Sequence, residues 1–438
     1  NTSVGNLTGG SDDDEFVFGS AGSAASVNGG AGSNTLVGRN SANTWRLTGD
    51  NIGSLEQTSG SVYVSSFSNI QVLQGGSAVD NFNLGFAFSG TVNGGADNDI
   101  FNINADINRL HGEDGNDSFL FSNDGNDGNV GTAAVIDGGG GSNILTGRNQ
   151  NNTWTISSEN SGVLSLTNSA NYVTGFNNIQ TLNGGTGADN FIINATVSGA
   201  INAGAGDNTF TINANVGDIS GGAGNDSFVF GSLGSANNVF GGAGVNSLVG
   251  RNGLNTWDIT VAEQGRLGVT NGSLYVNSFR DIQILQGGSS VDIFNINNKF
   301  AGTINGGAGN DSFNIYAEVN QLSGESGDDS FILVGQSSFA TTLDGGTGSN
   351  QLAGRNAANT WQVTSQNSGN LALTNGATYV SAFNNIQNLM GGNAVDIFQI
   401  NAAIASVSGG NGNDQFRINA SAGNLHGNDG DDQFIFTS

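Results

Sequence analysis

The sequence predicts an all-β protein: an elongated right-handed parallel β-solenoid, β-helix or β-roll-like, with coils of about 18–19 residues. Three observations predict it. A unit of about 105 residues recurs four times in the 438-residue chain, marked by tryptophans at 45, 154, 257 and 361. Inside each unit a turn phrase, Gly-Gly-x-Gly-x-Asp-x-Phe, returns at steps of 18 or 19 residues. The chain also has 73 glycines and no proline. Glycine suits the corners, and a strand central to its sheet needs the N–H that proline lacks.

Each unit carries the same elements in the same order. Arg39, Arg148, Arg251 and Arg355 each precede a tryptophan by 6 residues, and each tryptophan precedes a tyrosine (Tyr63, Tyr172, Tyr275, Tyr379) by 18. A phenylalanine follows 4 residues later, then Ile-Gln-x-Leu-x-Gly-Gly, as in Ile70-Gln71-Val72-Leu73-Gln74-Gly75-Gly76. The turn phrase is clearest at Gly221-Gly222-Ala223-Gly224-Asn225-Asp226-Ser227-Phe228. Between turns, apolar and polar residues alternate, as in Phe313-Asn314-Ile315 and Phe416-Arg417-Ile418, the pattern of half-buried strands. Asn104, Asn194, Asn213, Asn297, Asn401 and Asn419 follow the phenylalanines and read as corner residues. Asparagine tolerates left-handed angles, and its amides can ladder from coil to coil.

Gaps of 46 residues separate Asn34, Asn143, Asn246 and Asn350 from the next acidic position and hold the Trp–Tyr phrase. They read as two wide coils, as two coils with a protruding loop, or as a two-and-a-half-coil segment that changes face. The expected organisation is one continuous solenoid: partial repeat 1–13, repeats 14–116, 117–225, 226–328 and 329–431, and partial repeat 432–438. The start, Asp12-Asp13-Asp14-Glu15-Phe16, matches the end, Asp431-Asp432-Gln433-Phe434, as in an excerpt from a longer tandem array.

Composition excludes several functions. Without cysteine there is no disulfide scaffold, thiolate zinc site or thiol nucleophile. A formal charge of −26 with one lysine, Lys299, argues against nucleic acid as a partner, because phosphate binding needs clustered cations. No apolar run has the length of a membrane span. Disorder is excluded by 36% hydrophobic residues and 26 regularly spaced phenylalanines.

The turn phrase resembles the nonapeptide of calcium-binding β-rolls in RTX secreted proteins. The resemblance implies structural calcium, held by Asp80, Asp99, Asp117, Asp189, Asp226, Asp292, Asp311, Asp329, Asp396, Asp414 and Asp432. The residues alone support a plainer reading, in which Gly, Asn and Asp are turn formers that bond their own backbone. That family runs its nonapeptide in tandem, whereas here it occurs once per coil, and Asn208 and others replace the aspartate.

Trp45 and Tyr63, Trp154 and Tyr172, Trp257 and Tyr275, and Trp361 and Tyr379 stand 18 apart, so their rings are expected to stack on neighbouring coils with Arg39 and its counterparts nearby. These eight rings read either as carbohydrate-binding platforms or as core. No enzyme is expected. His111 and His426 occupy positions that are Ser220 and Ser323 in other units, and the carboxylates recur evenly without a singular cluster.

The combined phrase Asn-Thr-Trp, then Phe-x-x-Ile-Gln-x-Leu-x-Gly-Gly-x-x-x-Asp-x-Phe, resembles repeats of giant secreted bacterial adhesins. These include filamentous-haemagglutinin-type proteins and the cyclic-di-GMP-regulated biofilm-matrix adhesins. The resemblance implies an extracellular, cell-surface stalk for cell–cell or cell–matrix attachment, with exopolysaccharide or like adhesin chains as partners. A lectin-like module centred on the Trp–Tyr phrase and a self-assembling filament or surface-layer protein are the alternatives.

Overall fold

The computed structural model describes residues 2–121 and 131–437. Among the described residues there are 46 strands and no helix. The chain divides into two compact units, Asn1–Ala223 and Gly224–Ser438, and each holds two of the four Trp–Tyr phrases.

The expected parallel β-solenoid is found in both. Each regular coil gives one strand before its Gly-Gly turn and one after it, and the two join different sheets. Pairing is parallel and in register, so like residues meet. Phe101 pairs with Phe82 on one side and with Phe119 on the other. Inward positions are filled by Phe, Ile, Leu and Val with almost no exposure, and the alternate positions face outward. Burial of this repeating apolar row is what drives the coils together.

Among the described strands, the antiparallel pairings lie in the 46-residue gaps. In the first unit, strand Ser23–Asn28 pairs in parallel with Val62–Ser68. That strand runs antiparallel to Ile52–Gln57, which runs antiparallel to Asn43–Gly49, which pairs in parallel with Asn81–Leu84. The gap is thus a three-stranded meander set into one sheet. Meanwhile Thr35–Val37, a strand after a turn, pairs with Val72–Gln74, a strand before one. The two kinds of strand have exchanged sheets, so the face-changing reading is the one observed. The next meander, Asn152–Ser158, Ser161–Leu166 and Asn171–Asn177, enters the other sheet. The second unit repeats the alternation with Asn255–Val261 to Leu274–Arg280 and then Asn359–Ser365 to Thr378–Asn384.

Left-handed asparagines, Asn428 excepted, serve the meanders rather than the expected corners. Asn51, Asn160 and Asn367 turn the first hairpin, with Glu263 in the third copy, and Asn69, Asn178 and Asn385 precede the Ile-Gln phrase. The expected corner ladder is seen where Asn213 donates to Asn194 at 2.8 Å and where Asn419 donates to Asn401 at 2.6 Å.

Candidate functional site

Asp99 and Phe101 are two residues apart on an extended chain, so both side chains point inward. The consequence is a column of carboxylates and amides inside the turns. Asp80, Asp99, Asp117, Asp189, Asp226, Asp292, Asp311, Asp329, Asp396 and Asp414 are only 0–1% exposed, and Asp432, in the last coil, is partly exposed. One rule of bonding links the column. The Oδ1 atom of each rung accepts the main-chain N–H of the rung before it. Asp80 donates to Asp99 at 2.7 Å, Asp99 to Asp117 at 2.8 Å, and Asp117 to Asn143 at 2.8 Å. In the second unit Asp292 donates to Asp311, Asp311 to Asp329, and Asp329 to Asn350, at 2.7, 2.8 and 2.9 Å.

Each meander closes one column and opens another. A column opens on the asparagine before Asn-Thr-Trp is complete: Asn43, Asn152, Asn255 and Asn359 each donate their main-chain N–H to Oδ1 of the first aspartate, Asp80, Asp189, Asp292 or Asp396. It closes on the glutamine of Ile-Gln, whose Oε1 accepts the last amide. Asn34 donates to Gln71, Asn143 to Gln180, Asn246 to Gln283 and Asn350 to Gln387, at 2.7–2.8 Å. Sequence reasoning missed all eight. Their signal was a constant spacing of 37 residues, from Asn43 to Asp80 and from Asn34 to Gln71.

Three of the four opening rungs, Asp80, Asp292 and Asp396, differ from the other rungs, while Asp189 opens its column without this difference. Asp80 accepts three N–H groups, two from Asn43 on Oδ1 and one from Gly76 on Oδ2 at 2.7 Å. Asp292 and Asp396 likewise accept from Gly288 and Gly392. The Trp45 indole N–H has no partner of hydrogen-bond geometry, yet lies close enough to Asp80 to favour its charged form. In Asp99, Asp117, Asp189, Asp311, Asp329 and Asp414, by contrast, Oδ2 is buried without a hydrogen-bond partner. Burial pushes Asp99 up to about 8, reinforced by Asp80, Asp117 and Asp97. It pushes Asp189 and Asp311 to about 7, and Asp117 and Asp329 to about 6.

The eight aromatic candidates are core. The tryptophans are 0–1% exposed and the tyrosines 2–4%, so none presents a ring face to a sugar. Nor do they stack on each other, because the reversed strand Ile52–Gln57 separates Trp45 from Tyr63. Trp45 instead heads a stack with Phe82, Phe101 and Phe119 at centroid spacings of 5.5, 4.9 and 4.6 Å. Trp257 and Trp361 head similar stacks on Phe294 and Phe398. The expected arginine contact is present: Arg39, Arg148, Arg251 and Arg355 lie 3.9–4.1 Å over the rings of Tyr63, Tyr172, Tyr275 and Tyr379. Each tyrosine hydroxyl accepts the arginine's main-chain N–H and donates to the opening asparagine, for example Tyr63 to Asn43 at 2.7 Å.

Calcium takes about six to eight oxygens. A later rung offers one uncommitted carboxylate oxygen and a main-chain carbonyl, in a space with almost no solvent access. The column as built does not complete a calcium shell, and among the described residues no three His, Cys, Asp or Glu side chains converge on one point. His111 and His426 lie apart on strands Ile107–Asp114 and Ala422–Asp429.

No family model and no curated protein matches the chain. Among solved structures it is similar to a hyperactive, Ca2+-dependent, β-helical antifreeze protein from an Antarctic bacterium. The two are 18% identical over 82% of this chain and 85% of that one, with a TM-score of 0.15. A likeness at that score carries no argument about function.

Proposed function

We propose that the chain is a non-enzymatic structural and adhesive segment, a tandem-repeat stalk of a secreted bacterial adhesin or biofilm-matrix fibre. The observation that carries this reading is how the buried groups are used. The aromatic stack, the carboxylate column and the Arg–Tyr contact all join one coil to the next, and all recur in four copies. A chain built so adds length by adding coils, each contributing one strand spacing of about 4.8 Å. Outside, rows of amides such as Asn102–Asn83 and Asn93–Gln74 offer repeated polar contacts. Such contacts are individually weak and suit multivalent attachment to exopolysaccharide or to like chains on neighbouring cells. No helix among the described residues is long and apolar enough to cross a membrane.

The test is display of the whole chain on otherwise non-adherent bacteria. Cell aggregation or retention of purified exopolysaccharide, rising with the amount displayed, is the expected result. Full display with neither effect overturns the adhesive role, and release of soluble sugars from the polysaccharide overturns the non-enzymatic one.

A further inference from the structure

Within the columns, aspartate and asparagine occupy equivalent rungs, and the asparagines show what the second side-chain atom does. Asn208 donates its Nδ2 to the carbonyl of Gly221, one coil on, at 3.2 Å. Asn34, Asn143, Asn246 and Asn350 likewise donate Nδ2 to the carbonyls of Asn69, Asn178, Asp281 and Asn385, at 2.9–3.1 Å. The place is therefore built for a donor facing a carbonyl.

At the aspartate rungs the same place holds Oδ2. A methyl group at Gly94 would strike both Asp99 Oδ2 and the Gly112 carbonyl oxygen, so these two atoms border one small space. The step from 99 to 112 equals that from Asn208 to Gly221. Gly324 faces Asp311, Gly345 faces Asp329 and Gly427 faces Asp414 in the same way. An ionised carboxylate here sets an anionic acceptor against a second acceptor in a dry interior, an arrangement that costs heavily.

We infer that Asp99, Asp117, Asp189, Asp311, Asp329 and Asp414 are carried as uncharged carboxylic acids, with Oδ2–H facing the main-chain carbonyl of the next coil, so that protons rather than calcium neutralise the columns. Each proton comes from solvent as the coil closes, and the acid then has the donor pattern of the asparagine it alternates with. The titratable groups facing these residues are all acids, and any that is ionised favours the neutral form of its neighbour: Asp80, Asp97 and Asp117 around Asp99; Asp114 beside Asp117; Asp292, Glu325 and Asp329 around Asp311; Asp328 beside Asp329; Asp432 beside Asp414. Asp189 lies near enough to Tyr172 to raise the pKa of its hydroxyl.

The inference sets the sign of the pH response. A carboxyl whose folded pKa lies above its unfolded value contributes stability that is complete below the unfolded value and is lost as pH rises through the folded one. For Asp99, Asp117, Asp189, Asp311 and Asp329 the loss begins near the ordinary aspartate value of 3.8 and is complete once the pH passes their folded values, about 6 to about 8.

The experiment is infrared spectroscopy of the folded, metal-free chain across pH, paired with melting curves with and without millimolar calcium. Expected are a protonated-carboxyl C=O band that persists well above the ordinary carboxylate range, and a Tm that falls by several degrees from about pH 5 to about pH 8. A variant combining Asp99→Asn, Asp117→Asn, Asp189→Asn, Asp311→Asn, Asp329→Asn and Asp414→Asn should lose most of the band and of that slope, with Asp80, Asp292 and Asp396, which burial also pushes up to about 6, 6 and 7, supplying the remainder. Absence of the band at about pH 5 in the wild-type chain overturns the inference whatever the variant does. A band abolished by calcium together with a rise in Tm overturns it in favour of the metal.

Discussion

Asn43 and Asp80 stand 37 residues apart in sequence yet are adjacent rungs, and both the main-chain N–H and the Nδ2 of Asn43 donate to Asp80 Oδ1 at 2.7 Å. The same amide donates to the Arg39 carbonyl and accepts from Tyr63. One side chain therefore ties the meander to the regular coils. Asn43→Ala leaves the Tyr63 hydroxyl without its acceptor and the Arg39 carbonyl without this donor, all in a buried setting. At about 1–3 kcal/mol for each unsatisfied buried group, a loss of roughly 2–5 kcal/mol is expected in denaturant titration. Asn419→Ala on the exterior should change stability by less than about 0.5 kcal/mol.

Trp154 lies flat on Phe191 at 5.6 Å and edge-on to Phe176 at 6.3 Å, with no exposed surface. Trp154→Ala removes the head of this stack and leaves a cavity, and about 3–5 kcal/mol of destabilisation is expected. Trp154→Phe keeps a stacking ring and should recover much of that loss. If the tryptophans served glycans instead, Trp154→Phe would weaken polysaccharide retention at unchanged stability, and a retention assay on the displayed chain reads that directly.

The coil was legible because Phe82, Phe101 and Phe119 recur at the coil's own length, and parallel in-register pairing places like on like. The meander was not legible in detail. The 18 residues between Trp45 and Tyr63 imitate one coil, while the intervening strand Ile52–Gln57 runs backwards, and length alone does not encode strand direction. The inward aim of the aspartates was present in the sequence, since Asp99 and Phe101 share parity on one extended strand. The turn phrase drew attention to its glycines and its resemblance to metal-binding loops instead. The column ends at Asn43 and Gln71 escaped notice because their partners lie two coils' worth of sequence away.

Gly94 offers a steric test of the column. Its backbone is not in the left-handed region, so alanine is conformationally acceptable there, and the only obstacle is what the methyl meets. It would press on the Asp99 carboxyl group and the Gly112 carbonyl, and the carboxyl group cannot retreat without breaking the ladder. Gly94→Ala is expected to cost about 1–3 kcal/mol or more, as overpacking does. Gly85→Ala, with nothing within 4 Å of the added carbon, should be silent in the same thermal melts. Equal effects at the two positions would place the cost in the backbone and not in the column.

The Arg148–Tyr172 contact separates two contributions within one side chain. The guanidinium lies 3.9 Å from the ring centroid and its Nη2 donates to the Gly131 carbonyl, while the tyrosine hydroxyl accepts the Arg148 main-chain N–H and donates to Asn152. Burial lowers the Arg148 pKa, so its charge relies on the ring and the carbonyl. Tyr172→Phe keeps the ring and deletes the hydroxyl, leaving Asn152 Oδ1 short of a donor, at about 1–3 kcal/mol. Arg148→Met keeps most of the packing and deletes the charge. Because the Phe variant still offers a π-face, the two losses should add to within about 0.5 kcal/mol. Arg148→Met combined with Tyr172→Leu should instead show a coupling of roughly 1–2 kcal/mol, the size of a desolvated cation–π contact. A double-mutant cycle by equilibrium unfolding measures both, and zero coupling in the second cycle would leave the guanidinium–carbonyl bond as the part that holds Arg148 in place.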